Sequence, residues 1–493
     1  MKNCLFINFC DNFLLGFVHN LYERNIINLE TVYTDKQKLS DILHPEINYI
    51  DVSNFYDLDS VFTLNFNAAI PLSKYDIEDF FFLESEFLSE SDRLCFKPIS
   101  VKKRKLIYYE LLQYWINYFA KNSVDLVVFD GVPHMGWDLV CYEVARKFNV
   151  HTCYLELTVI EDQVIWHDDY KSFRKLTLNR SDNTLDQLKS LVGNDIYSKY
   201  LREGELLKLG KKLNDLKNKK SGTSIIRKIK TILYRVFNSF KNARKDLNHD
   251  SSFYYNKIKI LDYIYYSVKN LFYLQTLNKK YSLCTIPVDL DRKYIFFAMH
   301  YQPERTTSPQ GECFQEQILA IKIIASSLPN GWKLLIKEHP TQLLNRKVFK
   351  NKNFRSTYDY GLICKIKNVV IVPISFDSAE LIKNAQLVAT INGSVGWETL
   401  STHFKPVVIF GNIWYANCRS CFSISSQNEF KDVLKELNTV TPEQVEKDVL
   451  ELLLYYSKEF CNSSDGEFYA SYSSLSNKKL IDNLANKFVE KYI

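Results

Sequence analysis

The chain has 493 residues, of which 46% are hydrophobic and 24% charged, with a formal net charge of +6; these values exclude a single small module, a disordered chain and a low-complexity or collagen-like one. No run approaches the roughly 20 apolar residues that span a bilayer. MKNCLFINFCDNF meets Asn and Asp before a secretory apolar stretch can form, so a cytoplasmic protein is expected.

In chain order, CLFINF (4–9) reads as a strand and 12–24 as a helix. Residues 76–121 read as helical, acidic and aromatic near 76–90. DLVVFDG (125–131) is a buried-strand signal that leads into a helix at about 138–148 and a strand at HTCYLEL (151–157), one βαβ unit. Between Lys208 and Lys245 thirteen Lys and Arg face one acid, Asp215, so this segment carries about +12 and the remainder about −6. Within it Ile225, Ile226, Ile229, Ile232, Leu233, Val236, Phe237 and Phe240 recur at helical spacing. That pattern is a basic amphipathic helix, either packed with a solvated basic face or in contact with an anionic membrane surface. No recognition motif for nucleic acid accompanies it, and none is expected as a partner.

The second region alternates short apolar strands with helices of about ten residues. YIFFAMH (294–300), a helix at 312–327, WKLLIKEH (332–339), NVVIVP (368–373), a helix at 377–385, LVATIN (387–392), a helix at 394–403 and PVVIFG (406–411) predict a parallel, doubly wound sheet. Residues 426–491 read as wholly helical. The expected fold is α/β, with two Rossmann-like doubly wound domains (1–170 and 286–425) facing a cleft, a basic helical insertion at 171–285 and C-terminal helices at 426–493. The eleven cysteines are scattered, and the lone Cys418-x-x-Cys421 has no second pair, so no metal site is assigned.

In such a fold ligands bind beyond the carboxyl ends of the strands, and the polar motifs fall there. Lys337-Glu338-His339-Pro340 follows WKLLI. Asn392-Gly393-Ser394-Val395-Gly396-Trp397-Glu398 follows LVATI and opens a helix, where free N–H groups and the dipole favour a phosphate. Glu398 lies on the same helical face as Ser394 and about 6 Å further along the axis, an offset that suits a ribose hydroxyl pair. Gly393 and Gly396 stand in a chain with only 14 glycines, and small residues let backbone approach a ligand. The bland alternative makes Ser394 an N-cap and Glu398 a first-turn carboxylate. Asp377 and Glu380 read as a capping box and are left structural. In HYQPERTTSP (300–309), Arg305 has the fork to hold a phosphate or carboxylate. In the first half Asp130 and His134 follow the strand DLVVF, and either is a candidate base.

HYQPERTTSP, IKEHP (336–340), INGSVGWETL (391–400) with KPVVIFG (405–411), and DGVPHMGWD (130–138) with YLELT (154–158) resemble the bacterial capsule polysaccharide biosynthesis proteins. That resemblance covers most of 125–160 and 290–415. It implies the GT-B arrangement of two Rossmann domains, and metal-independent sugar transfer from a CMP- or UDP-linked donor to a glycan or lipid-linked glycan acceptor in capsule or lipopolysaccharide assembly. No cofactor is implied beyond that co-substrate. By motif, Lys337 and His339 would contact the donor phosphate or leaving group, Ser394 the phosphate and Glu398 the ribose, with His134 or Asp130 as base. A nucleotide-sugar epimerase and a non-catalytic assembly or export protein are the competing readings. The basic segment would place the protein on the inner face of the plasma membrane.

Overall fold

The computed structural model describes residues 1–36, 38–66, 70–95, 97–175, 178, 181–194, 196–197, 260–302, 304, 306–343, 355–471 and 473–493. The basic stretch 208–245 and Arg305 lie outside the described residues.

Two sheets organise the chain. The first holds β1 (Asn3–Ile7), β2 (Asn28–Thr34), β3 (Tyr49–Asp51), β4 (Leu126–Phe129), β5 (His151–Leu157) and β6 (Gln163–His167). The second holds β7 (Tyr294–Ala298), β8 (Lys333–Lys337), β9 (Val369–Ile371), β10 (Leu387–Thr390), β11 (Val407–Ile409) and β12 (Cys421–Ser423). A last strand, β13 (Phe460–Asn462), returns to the first. The orders are β13-β6-β5-β4-β1-β2-β3 and β12-β11-β10-β7-β8-β9. The second sheet is parallel throughout; the first is parallel from β5 to β3, with β6 antiparallel to both β5 and β13.

This is the doubly wound α/β fold expected from the sequence. Side-chain alternation explains why its inner strands read as unbroken apolar runs. Leu5 and Ile7 of β1, with Val127 and Phe129 of β4, enter the core on one face, while Cys4, Phe6, Leu126 and Val128 enter the core on the other. Helices cover both faces, so all but the first residue of β1 and every residue of β4 are buried. One core is an aromatic packet in which Phe55 lies 5.2 Å from Trp137 and 6.0 Å from Trp115, ring centre to ring centre. The other is closed by the helix Asn477–Tyr492, whose Leu480, Leu484 and Phe488 are fully buried. It lies against the helix Asn12–Glu23, where a Cβ on Gly16 would stand 2.9 Å from the Ile481 Cδ1.

Three differences from the sequence reading are instructive. The stretch 426–491 is not wholly helical, because β13 adds an edge strand to the first sheet. The expected helix at 312–327 is a 3-10 turn (Glu312–Gln315) followed by a helix confined to Ile318–Ala325. β2, β3, β6 and β12 carry too much polar sequence, or are too short, to stand out. Asp377 does cap the helix Ser378–Asn384 by accepting from the Ala379 N–H at 3.0 Å. Among the described residues no helix is long and apolar enough to cross a membrane.

Candidate functional site

Strand order decides where the site lies. In the first sheet the chain winds outward from β1 in one direction and from β4 in the other, so the topological switch point falls between them; in the second it falls between β7 and β10. Crevices open at the carboxyl ends of such strand pairs. Both crevices are bridged by a side chain.

At the first switch point Asn8, in the left-handed region at φ 69°, donates from Nδ2 to the Asp130 Oδ2 at 2.8 Å. The Asp130 N–H donates to the Ile7 carbonyl at 3.3 Å. The carboxylate is thereby tethered across the ends of β1 and β4. Four residues on, the His134 Nδ1 lies 2.8 Å from the Val132 carbonyl. A carbonyl only accepts, so Nδ1 carries the proton and Nε2 is the basic nitrogen. The backbone of this turn is held by Asp138, which accepts from the N–H groups of His134 (3.0 Å), Met135 (2.7 Å) and Leu139 (2.7 Å), and by Arg93, which donates to the His134 carbonyl.

At the second switch point His300 reaches from the end of β7 to the turn after β10. Its Nε2 accepts from the Asn392 N–H at 3.2 Å and sits 3.0 Å from the Thr390 hydroxyl, so the ring proton is on Nδ1, which faces Glu304 at 3.3 Å. Burial raises the Glu304 carboxyl, but the hydrogen bond from His300 and the favourable electrostatic influence of the His300 and His339 rings outweigh it and hold that carboxyl below its usual range. Buried amides of Asn392 and Asn412 knit the turn to its neighbours, the Asn392 Nδ2 donating to the Asn412 carbonyl at 3.3 Å.

The helix Ser394–His403 starts here. Its N-cap is Gly393, which makes no side-chain cap bond, and no acid sits in the first turn. Ser394 is therefore not the N-cap and Glu398 not a first-turn carboxylate. Ser394 is exposed, Glu398 half-buried, and the first N–H groups of the helix lack intrahelical acceptors. The two glycines leave room for this chain's own side chains. A Cβ on Gly396 would meet the Tyr415 hydroxyl at 2.3 Å, and one on Gly393 would meet the Thr390 Oγ1 at 3.0 Å and the His300 ring at 3.1 Å. Tyr415 donates to the Gly393 carbonyl and fixes the turn.

One strand further out, the end of β8 presents two residues differently. Lys337 is buried, with Nζ donating to the Phe376 carbonyl (2.6 Å) and Ser378 hydroxyl (2.7 Å), so it is engaged with the start of the helix Ser378–Asn384. His339 is exposed. Its Nδ1 accepts from the Thr341 N–H at 3.2 Å, which puts its proton on Nε2. Behind it, buried Glu338 pairs with Arg355 at 2.8 Å, and the Arg355 Nη2 donates to the His300 carbonyl at 3.3 Å, bracing the two histidine loops together. Cys418 and Cys421, the latter opening β12, are both buried, and burial pushes the Cys418 thiol up.

Sequence reasoning missed Asn8, His300 as a bridge, and a buried charged group. Glu90 and Arg93, on the helix Phe81–Arg93, pair at 2.8 Å with side chains 1% and 5% exposed. A signal existed: Leu83, Phe87, Glu90 and Leu94 follow helical spacing, which puts Glu90 on an apolar face. Burial raises the Glu90 carboxyl to about 7, opposed by Arg93 and Ser308 and assisted by Asp138. Burial likewise raises Asp138 to about 6 against three backbone N–H bonds and Arg93. A raised acid binds a proton in the folded state that the unfolded chain has lost, so stability falls as pH climbs between the two values. For Glu90 that window is about pH 4.5 to 7 and the loss about 3 kcal/mol. Melting temperatures measured from pH 5 to 8 are expected to fall less in Glu90→Gln than in the wild type; equal slopes would refute the assignment.

Comparison with known proteins gives likenesses to part of the chain and to its fold. No curated protein matches the chain. Among solved structures, similar ones include the UDP-GlcNAc 2-epimerase from Methanocaldococcus jannaschii in complex with UDP-GlcNAc and UDP, at 13% identity over 92% of this chain and 100% of that one, TM-score 0.24. Another is KpsC from Thermosulfurimonas dismutans, a beta Kdo 2,7 transferase, at 11% identity over 76% and 89%, TM-score 0.26. The calicheamicin glycosyltransferase CalG4 is 11% identical over 100% of both chains, TM-score 0.25. At such identities and scores these likenesses say nothing of this chain's substrate. Residues 308–448 match the family model described as capsule polysaccharide biosynthesis protein. The part of the chain bearing Lys337, His339 and the Gly393–Glu398 turn is thus the part that is similar to capsule polysaccharide biosynthesis proteins.

Proposed function

We propose that the protein is a glycosyltransferase of capsule or surface-polysaccharide synthesis, transferring a sugar from a CMP- or UDP-linked donor to a glycan or lipid-linked glycan acceptor. The observation that carries this reading is the pairing of two switch points in two doubly wound sheets, one with a carboxylate tethered across the strand ends and the other with a helix N-terminus that has no side-chain cap, while His339 follows β8 in the same sheet. The helix start of Ser394 receives the donor phosphate and Glu398 the ribose. Asp130 takes the proton from the acceptor hydroxyl as its oxygen attacks the anomeric carbon. The bond from that carbon to the phosphate oxygen breaks, and the charge left on the nucleotide is met by the helix N-terminus and the His339 Nε2–H. Those donors do the work a divalent ion does elsewhere, so the site is read as metal-independent. His134 shapes the acceptor side, and Arg305 adds charge to the donor side. The reaction belongs on the cytoplasmic face of the membrane, to whose anionic surface the +12 of residues 208–245 is attracted.

The test is nucleotide binding by calorimetry with CMP, UDP and their sugar conjugates, on the wild type and on Glu398→Ala. Loss of two charged hydrogen bonds to a ribose weakens binding by roughly a hundredfold or more. An unchanged Kd removes the ribose role. Release of nucleotide only in the presence of an acceptor separates transfer from epimerisation, which needs none.

A further inference from the structure

The buried group behind the His134 turn extends the machinery beyond the strand ends. Arg93 is the hub: it forks onto the Glu90 Oε2 from Nε (3.2 Å) and Nη2 (2.8 Å), and the same Nη2 reaches the His134 carbonyl. Its helix ends against the second half of the molecule, where the Ser89 hydroxyl donates to the Gln315 Oε1 at 2.7 Å and Ser308 donates to the same oxygen at 3.2 Å. The Ser308 hydroxyl also lies beside Glu90. The groups around Glu90 are thus Arg93 from its own helix, Asp138 from the helix Trp137–Lys147 and Ser308 from the loop after β7. A buried pair of this kind contributes little net stability, while removing one member leaves an uncompensated charge, so packing alone gives poor reason to place it there.

We propose that Glu90 and Arg93 are positioning residues: they pin the turn from Asp130 to Asp138 to the Ser308–Gln315 loop, so that the acceptor side and the donor side keep their relative placement. The role in turnover rests on the transferase reading; the pinning itself does not. Raised affinity of Glu90 for a proton fits a buried carboxyl whose desolvation Arg93 and the Ser308 hydroxyl only partly offset.

Arg93→Lys keeps the charge and loses the fork, and Glu90→Gln keeps the shape and loses the charge. Both are compared with the wild type, as full chains, in three measurements. In amide hydrogen exchange the His134 and Met135 N–H groups, with the Ser308–Gln315 loop, are expected to exchange at least tenfold faster in Arg93→Lys, while strands β1 and β4 keep their protection. In steady-state transfer, kcat is expected to fall roughly tenfold or more with donor KM within about twofold. Glu90→Gln is expected to be milder in both and to shift the pH profile of kcat. Unchanged exchange at His134 and Met135 overturns the pinning whether or not the protein transfers sugar. Faster exchange with kcat unaltered overturns the role in turnover, and so does a kcat loss that merely tracks the unfolded fraction in a thermal melt. A wild type that transfers no sugar to any acceptor refutes the functional reading, leaving the exchange result to decide the pinning.

Discussion

Asp130→Asn is expected to lower kcat by about 10²–10⁴-fold, with His134→Ala staying within about tenfold of the wild type. The difference follows from where each side chain is held. Asp130 extends β4 by one residue, its N–H on the Ile7 carbonyl, and the Asn8 amide fixes one carboxylate oxygen across the switch point. Asn at this position keeps the shape and the Asn8 neighbour but accepts no proton. His134 sits in a turn held through its backbone, and its ring is turned by the Val132 carbonyl. A stopped assay that separates donor hydrolysis from transfer provides the readout. Equal losses in both variants would make the pair a joint device, and a larger loss in His134→Ala would move the base to its Nε2.

The second large effect is at the leaving group. His339→Ala is expected to cost roughly 10²–10³ in kcat, the scale of removing one preorganised donor from a developing negative charge, with donor KM changed only a few-fold. His339→Gln, which also offers an N–H, should recover part of that loss. The backbone bond from Thr341 to Nδ1 makes this specific, because it denies the ring its other tautomer and keeps the donor on Nε2. A loss shared evenly between kcat and KM would make His339 a ground-state binding residue.

The parts of this molecule that the sequence displays are those governed by neighbours along the chain. LVVF in β4, YIFFA in β7, KLLIK in β8 and LVAT in β10 are apolar without interruption, or nearly so, because both faces of a central parallel strand are covered. The helix at 394–403 announces itself through its small-residue start. NLETVYT in β2 does not, since Glu30 and Thr31 interrupt it, and the three-residue β3, β12 and β13 carry no period at all. The site divides the same way. His339, Ser394 and Glu398 stand out because each follows a recognisable strand. The bridge from His300 to Asn392 spans 92 positions and that from Asn8 to Asp130 spans 122; both depend on which strands lie side by side, which no local pattern encodes. The glycines show the converse error. Their scarcity correctly marks a crowded turn, but the crowd at Gly396 is Tyr415.

The helix Asn477–Tyr492 and the strand β13 bring the end of the chain back to its beginning. The lobe around the first sheet therefore draws on residues from both ends of the sequence, whereas the lobe around the second is contiguous from β7 to β12. On a ribosome the order of completion is reversed relative to the order of synthesis: the later-made lobe has all its strands first. The earlier-made lobe meanwhile waits with Leu15, Phe17 and Val18 of the helix Asn12–Glu23 uncovered and β6 lacking its outer partner. That interval, in which a long apolar stripe and an open sheet edge are both exposed, is where a chaperone or a misfolded contact has its opportunity.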